Sequence, residues 1–148
     1  MGYSGRRPPT PNKEDIALMA HLMRRAGFGA SRGELENLAE QGYEETVEQL
    51  LAPESQPPLD ECLLYRLHPV TEMPTQHNSG GQPNWLYHMV NTQRPLQEKM
   101  VLFWHHVFAT GNDKVDNCDQ LISQIEMLRR YGMGNYGELL VRLAKDPP

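Results

Sequence analysis

The chain has 148 residues, enough for one domain with a real hydrophobic core. Its 14 basic and 19 acidic residues give a formal charge of −5, which argues against a general nucleic-acid-binding protein because such proteins carry a basic excess or a basic stripe. No run approaches the ~20 apolar residues that a membrane span requires, so we expect no membrane-spanning helix.

The N-terminus and the cysteines say little about the cellular compartment. Residues 1–13 contain an arginine pair, but prolines and charges follow it where an export signal has an apolar region, so we predict a disordered leader and a cytoplasmic protein by default. Cys62 and Cys118 form no C-x-x-C motif. We expect two buried free thiols, and a disulfide in an oxidising compartment stays an open alternative.

Three short helices are predicted near the start of the chain. Apolar residues at helical spacing predict a helix over 14–26. Ser31 with Glu34 forms a capping box that begins a second helix, and Gly42 is the expected glycine after its end. The run "YEETVEQLL" predicts a third helix, which Pro53 stops. We expect these helices to form one small unit over residues 14–52.

The rest of the chain divides into a loop-rich connection and a set of core helices. Residues 53–82 are rich in proline and glycine, with "LDECLLYRL" as a candidate short helix. Over 83–148 we predict four helices: one after Pro83, one beginning at Pro95, one from about Cys118 to Tyr131, and one after Asn135 as N-cap.

No segment alternates with the period of a half-buried strand. The pattern therefore predicts an all-α fold, an irregular bundle of about six to eight helices in a helical domain over residues 14–148.

The stretch "EKMVLFWHHVFAT" places two adjacent histidines in an apolar helix. Its apolar side chains, interrupted only by Gln97, cover an arc broad enough to predict a central core helix. His105 borders that arc beside Glu98, whereas His106 is expected to face solvent. The pair lacks the i, i+4 spacing of a helical zinc site. We therefore expect no metal and no cofactor, and interpret His105 as a hydrogen-bonded, half-buried structural residue.

Arg129 breaks the apolar pattern of its own helix. It falls inside the apolar arc, where a lone guanidinium would cost several kcal/mol to bury. We predict that it is substantially buried and meets Glu98, His105 or a helix-end carbonyl, while snorkelling to water is the alternative. These three residues are the candidate catalytic set, and a structural clamp is the favoured interpretation of them.

A second candidate site lies at "RRAGFGA". Arg24 and Arg25, followed by two glycines, can present charges and backbone N–H groups to an anion. The favoured alternative is a helix C-terminus followed by an aromatic plug at Phe28. The sequence contains no G-x-S-x-G elbow, no Walker A loop and no G-x-G-x-x-G after a strand.

Several stretches, taken in order, resemble a bacterial family catalogued as domain of unknown function 1800: "HLMRRAGFGAS", "GYEETVEQLL", "RPLQEKMVLFWHHVFAT" and "LRRYGMGNYGELLVRLAKDP". The resemblance spans residues 17–147 and implies a mainly helical fold. No activity is established for the family, so the resemblance transfers no catalytic residues. Many members show W-H-x-H-F where this chain has Trp104 to Phe108, so the first histidine matches and the second does not.

Family members continue beyond "KDP", so the resemblance implies that this chain is the N-terminal part of a larger domain. An apolar face of the last helix would then lie exposed, formed by Tyr136, Leu139, Leu140 and Leu143. The expected partner is an unknown protein or the missing C-terminal part of the same domain. The family's frequent export leaves localisation open.

Three functions follow from these observations, and anion recognition at Arg24 and Arg25 is the least favoured of them. We favour a non-catalytic helical scaffold or interaction module, because every recognised motif reduces to helix caps and core. The alternative is part of a hydrolase-like enzyme in a bacterial polymer- or sulfate-ester-processing system, with Glu98, His105 and Arg129 at its polar centre. That alternative depends on the sulfatase-like genes that often neighbour family members, an association rather than chemistry.

Overall fold

The computed structural model describes residues 11–60, 62, 66, 81–108 and 118–145. These residues contain seven α-helices and no strand, which confirms the predicted all-α multi-helix fold. The helices are α1 (Lys13–Ala26), α2 (Arg32–Gln41), α3 (Tyr43–Leu51), α4 (Gly81–Asn91), α5 (Pro95–Val107), α6 (Cys118–Tyr131) and α7 (Tyr136–Leu143). A short 3-10 turn, Pro53–Ser55, follows α3. Residues 1–10 of the predicted leader and most of "LDECLLYRL" lie outside the described residues.

Local capping interactions set the helix ends. The predicted capping box of α2 is present, with the Ser31 N–H donating to Glu34 Oε2 at 2.7 Å. Asn12 forms a similar box with Asp15 and begins α1. Asn135 accepts from the Glu138 N–H at 3.1 Å and begins α7, as predicted. Gly42 closes α2 with a φ of +108°, a conformation that favours glycine.

Helices α1, α2 and α3 pack in sequence, and α1 and α3 also contact α5. Met19, Met23 and Thr46 are the buried side chains of these three helices. At the junction with α5, a Cβ added to the buried Gly27 would lie 3.0 Å from Pro95 Cβ. The end of α1 therefore approaches the start of α5 so closely that a side chain at position 27 would require Pro95 to move by a few tenths of an ångström.

Helix α5 is central, since it contacts α1, α3, α4 and α6. One hydrophobic core cluster lies between α5, α6 and α7 and consists of Val101, Leu128 and Leu139. The predicted breadth of the buried arc on α5 is wrong, however, because Phe103 and Val107 are each 51% exposed. The neighbouring helices cover only the face of α5 that carries Val101.

The expected exposed face of α7 is only partly present. Tyr136 and Leu140 are exposed, as the sequence predicted. Leu139 is instead fully buried in the core, and Leu143 packs partly buried against it. The expectation is therefore wrong for Leu139, because α7 turns that side chain towards α5 and α6.

The expectation of buried thiols is wrong for Cys62, which is a free and exposed cysteine. The side chain of Cys118 lies outside the described part of the chain. None of the helices described is both long and apolar enough to cross a lipid bilayer.

Side chains of α5 complete the C-terminal end of α6. Gln97 Nε2 donates to the Arg129 carbonyl at 3.1 Å, and Trp104 Nε1 donates to the Gly132 carbonyl at 2.6 Å. Carbonyl groups in the last turn of a helix lack intrahelical partners, so both bonds satisfy acceptors that would otherwise need water. The Trp104 ring stacks with the rings of Phe108 and Tyr136, with centroids 5.6 Å apart in each pair.

Gly132→Ala should lower the free energy of unfolding by about 1–3 kcal/mol, as overpacking of a tight site does. The added Cβ would overlap the Leu128 carbonyl oxygen and lie 2.8 Å from Trp104 Cδ1. Urea denaturation followed by circular dichroism measures the change. The matched control is Gly33→Ala in α2, where the new Cβ meets nothing within 4 Å and should stabilise by up to ~1 kcal/mol. Equal stability of Gly132→Ala and the wild type would contradict the close approach.

Candidate functional site

Four side chains from three helices form a cluster, here called the polar centre: Trp85 of α4, Glu98 and His105 of α5, and Arg129 of α6. Glu98 is only 1% exposed and Arg129 is 19% exposed at its side chain. Arg129 Nε donates to Glu98 Oε1, and Arg129 Nη2 donates to Glu98 Oε2 at 3.3 Å. The predicted burial of Arg129 and its contact with Glu98 are therefore confirmed.

Trp85 is the member of the polar centre that the sequence did not reveal. Its indole Nε1–H donates to Glu98 Oε2 at 3.3 Å. Its ring makes a T-shaped contact with the His105 imidazole, with centroids 5.0 Å apart and planes at 87°. Trp85 thus joins the carboxylate to the histidine. The available signal was the indole N–H itself, which needs a partner when it is buried.

The two oxygens of Glu98 are both engaged. Oε1 accepts from Arg129, and Oε2 accepts from Arg129 and Trp85. Charge-assisted bonds in a forked arrangement are stronger and more directional than neutral ones. Because the side chain is also almost fully buried, the geometry suits a carboxylate that holds helices together.

His105 is half-buried, as predicted, and His106 is exposed, as predicted. The expected hydrogen bond is wrong for one nitrogen: Nδ1 of His105 is buried without a hydrogen-bond partner in the described part of the molecule. Burial lowers the pKa of His105 from its ordinary value, because desolvation disfavours the charged imidazolium.

The second candidate site is not brought together with the first. Arg24 and Arg25 are exposed at the end of α1. The Gly29 N–H donates to the Met23 carbonyl at 3.1 Å, so this amide closes the helix end. Phe28 is not a buried plug, because it is 41% exposed with Lys99 Nζ 5.1 Å from its ring centroid. An anion site at the two arginines stays a prediction.

Two cavities, of about 480 and 270 Å³, are lined entirely by described residues. Neither is lined by Glu98, His105, Arg129 or the two arginines of α1. Within the ranges that the structure describes, no three histidine, cysteine, aspartate or glutamate side chains are grouped closely enough to hold a metal ion.

The family model described as "Protein of unknown function (DUF1800)" matches residues 21–148. The chain belongs to this family. The match confirms the resemblance seen in the sequence, and it includes all four residues of the polar centre. No curated protein and no solved structure matches the chain. For this DUF1800 chain, function must therefore be argued from the geometry of its own residues.

Glu98→Gln should lower the free energy of unfolding by about 3 kcal/mol, because it leaves the Arg129 guanidinium partly buried without its counter-charge. Chemical denaturation measures the loss. The matched control is Glu138→Gln, which breaks the half-exposed pair between Glu138 and Arg142 at 3.5 Å. That change should cost less than about 1 kcal/mol. Similar losses in the two variants would contradict a special contribution from the buried pair.

The protein should lose stability as the pH falls below about 6.5, the ordinary histidine pKa, and His105 should carry part of that loss. Because burial lowers its folded-state pKa, the unfolded chain takes up the proton first, and protonation favours unfolding. The stabilisation is therefore present above the ordinary pKa and declines as the pH falls. His105→Gln should flatten the pH dependence of the unfolding free energy, whereas His106→Gln should retain it. Identical slopes for both variants would count against this assignment.

Proposed function

We propose that this DUF1800 chain is a non-catalytic helical interaction module, in which the polar centre is a structural clamp between α4, α5 and α6. The observation that carries the proposal is the burial of Glu98, at 1% exposure, with both oxygens engaged by Arg129 and Trp85. The partner would be another protein or a further part of the same family domain.

The clamp interpretation rests on access. A general acid or base must come within hydrogen-bond reach of the substrate proton that it transfers. Glu98 has almost no exposed surface, and the Arg129 head is held by the same carboxylate. Releasing either group for substrate would leave an unpaired charge in a partly buried site, which costs several kcal/mol. Binding of a substrate to Glu98 or Arg129 would therefore destabilise the fold.

The alternative is part of a hydrolase-like enzyme in a bacterial polymer- or sulfate-ester-processing system. One observation favours it: His105 has an unpartnered Nδ1 and a lowered pKa, so it is held as the neutral imidazole that a general base requires. In that case His105 would act on substrate, and Trp85 with Glu98 would position its ring.

A double variant separates the two functions. Glu98→Leu combined with Arg129→Met should recover at least half of the stability lost in Glu98→Leu alone, because apolar replacement of a whole buried pair is commonly close to neutral. Turnover of chromogenic sulfate, phosphate and carboxylate esters should not exceed that of His105→Gln. Turnover that disappears in His105→Gln, with the fold retained, would overturn the module. So would stoichiometric zinc or iron that survives dialysis and is lost in His105→Ala.

A further inference from the structure

An open groove lies between the small helices at the start of the chain and the α4–α5 junction. The cavity of about 480 Å³ lies beside α1, α2 and the end of α4, and the cavity of about 270 Å³ follows α2 and α3. Both are lined by Met23, Glu34, Leu38, Thr92 and Pro95, so they are two parts of one continuous depression. We call it the N-terminal groove. Its larger part is of the size at which proteins bind ligands.

The lining of the groove is largely apolar and incompletely covered. Met23, Phe28, Leu38, Met89, Val90 and Pro95 line its larger part. Val90 is 73% exposed and Phe28 is 41% exposed, so folding leaves apolar surface open at the rim. Methionine side chains adapt readily to the shape of a bound apolar group. Such a surface suits a partner that presents apolar side chains.

The segment that carries α2 and α3, on one side of the groove, is strongly acidic. Between residues 31 and 60 the only basic residue is Arg32, against eight acidic ones: Glu34, Glu36, Glu40, Glu44, Glu45, Glu48, Glu54 and Asp60. Eight negative charges and one positive give this segment −7, whereas the whole chain carries −5. Arg32 is already paired with Glu36 at 2.6 Å. Glu34 is exposed and lines both parts of the groove.

Arg94 and Lys99 border the groove, and both contact neutral groups, so they keep their positive charges. Arg94 Nε donates to the Gln56 carbonyl at 2.8 Å, and Lys99 lies over the Phe28 ring. Together with Arg24 and Arg25 at the end of α1, these cations reduce the −7 of residues 31–60 to −3, so the net charge around the groove stays negative. That field favours a positively charged partner, and a second copy of this acidic chain would bring like charge against it.

We propose that the N-terminal groove binds a basic amphipathic helix from a partner protein. The proposal rests on the interaction-module function and names its surface and partner chemistry. Apolar side chains of the helix would cover Leu38, Met89 and Val90, and a lysine or arginine on its flank would meet Glu34. A groove between helices accepts an amphipathic helix through anchors at helical spacing. Strand addition is ruled out at this surface, because residues 11–60 and 81–108 contain no strand to extend.

The test uses the full chain and two labelled peptides of about 14 residues, or four helical turns. One carries leucines at helical spacing with lysines elsewhere, and the other has the same leucines with glutamates. Fluorescence anisotropy measures binding at low and moderate salt. We expect the leucine–lysine peptide to bind, with affinity falling as salt rises, and the leucine–glutamate peptide not to bind. Binding of both peptides with equal affinity would overturn the role of charge.

Two matched pairs of variants locate the surface. Val90→Arg places a cation in the groove, whereas Leu51→Arg makes the same charge change at a 63% exposed position that lines neither cavity. The first should weaken binding at least about tenfold and the second less than about twofold. Glu34→Gln should weaken binding several-fold more than Glu44→Gln, and glutamine preserves the capping role of position 34.

Each outcome bears on a different claim. Equal effects of Val90→Arg and Leu51→Arg would overturn the groove while leaving the interaction module intact. Self-association that Val90→Arg abolishes, measured by sedimentation velocity without peptide, would replace the basic helix with a second copy. Histidine-dependent ester turnover would overturn the module function. Peptide binding that the groove variants weaken would still support the groove as a binding surface.

Discussion

The carboxylate of Glu98 is the constraint on which the packing of the core helices depends. A buried ion is stable only when it is hydrogen-bonded and paired with an opposite charge within the protein. Here a guanidinium from α6 and an indole N–H from α4 donate hydrogen bonds to Glu98, and the guanidinium also supplies the opposite charge. Three helices therefore meet at one side chain of α5. The apolar core of Val101, Leu128 and Leu139 completes the same contact between α5, α6 and α7. Packing and charge pairing therefore specify one arrangement together.

A second set of contacts fixes how far α5 and α6 are shifted along each other. Gln97 and Trp104 are seven residues apart, two turns along α5, and each donates to a carbonyl at the end of α6. Gly132 allows the Trp104 indole to approach that end. Apolar faces alone permit a helix to slide by a turn with similar burial. Such a slip would leave Glu98 and Arg129 unpaired and would break both caps, so the polar contacts define the register.

Sequence reasoning succeeded where the deciding physics was local and failed where it depended on neighbours. Helix ends were predictable at Ser31, Pro95 and Asn135 because caps act within one turn. The Arg129–Glu98 contact was predictable because a charge in an apolar arc demands a partner. The exposure of Phe103 and the burial of Leu139 were not, since periodicity shows which residues share a face but not how much of it is covered. Trp85 was missed because its contacts to Glu98 and His105 come from a separate helix.

The contact between Glu98 and Arg129 lies close to the N-terminal groove along α5. Glu98 lies three residues after Pro95, less than one turn along the same helix. Pro95 lines both parts of the groove and meets the end of α1 at Gly27, where an added side chain would be tightly packed. Fixing the register of α5 against α6 therefore also fixes where α1 and α2 can lie. Two parts of α5 therefore have different surroundings. The buried face carries the Glu98–Arg129 ion pair, and the N-terminal end of α5 lines the open groove that the proposed basic helix would cover.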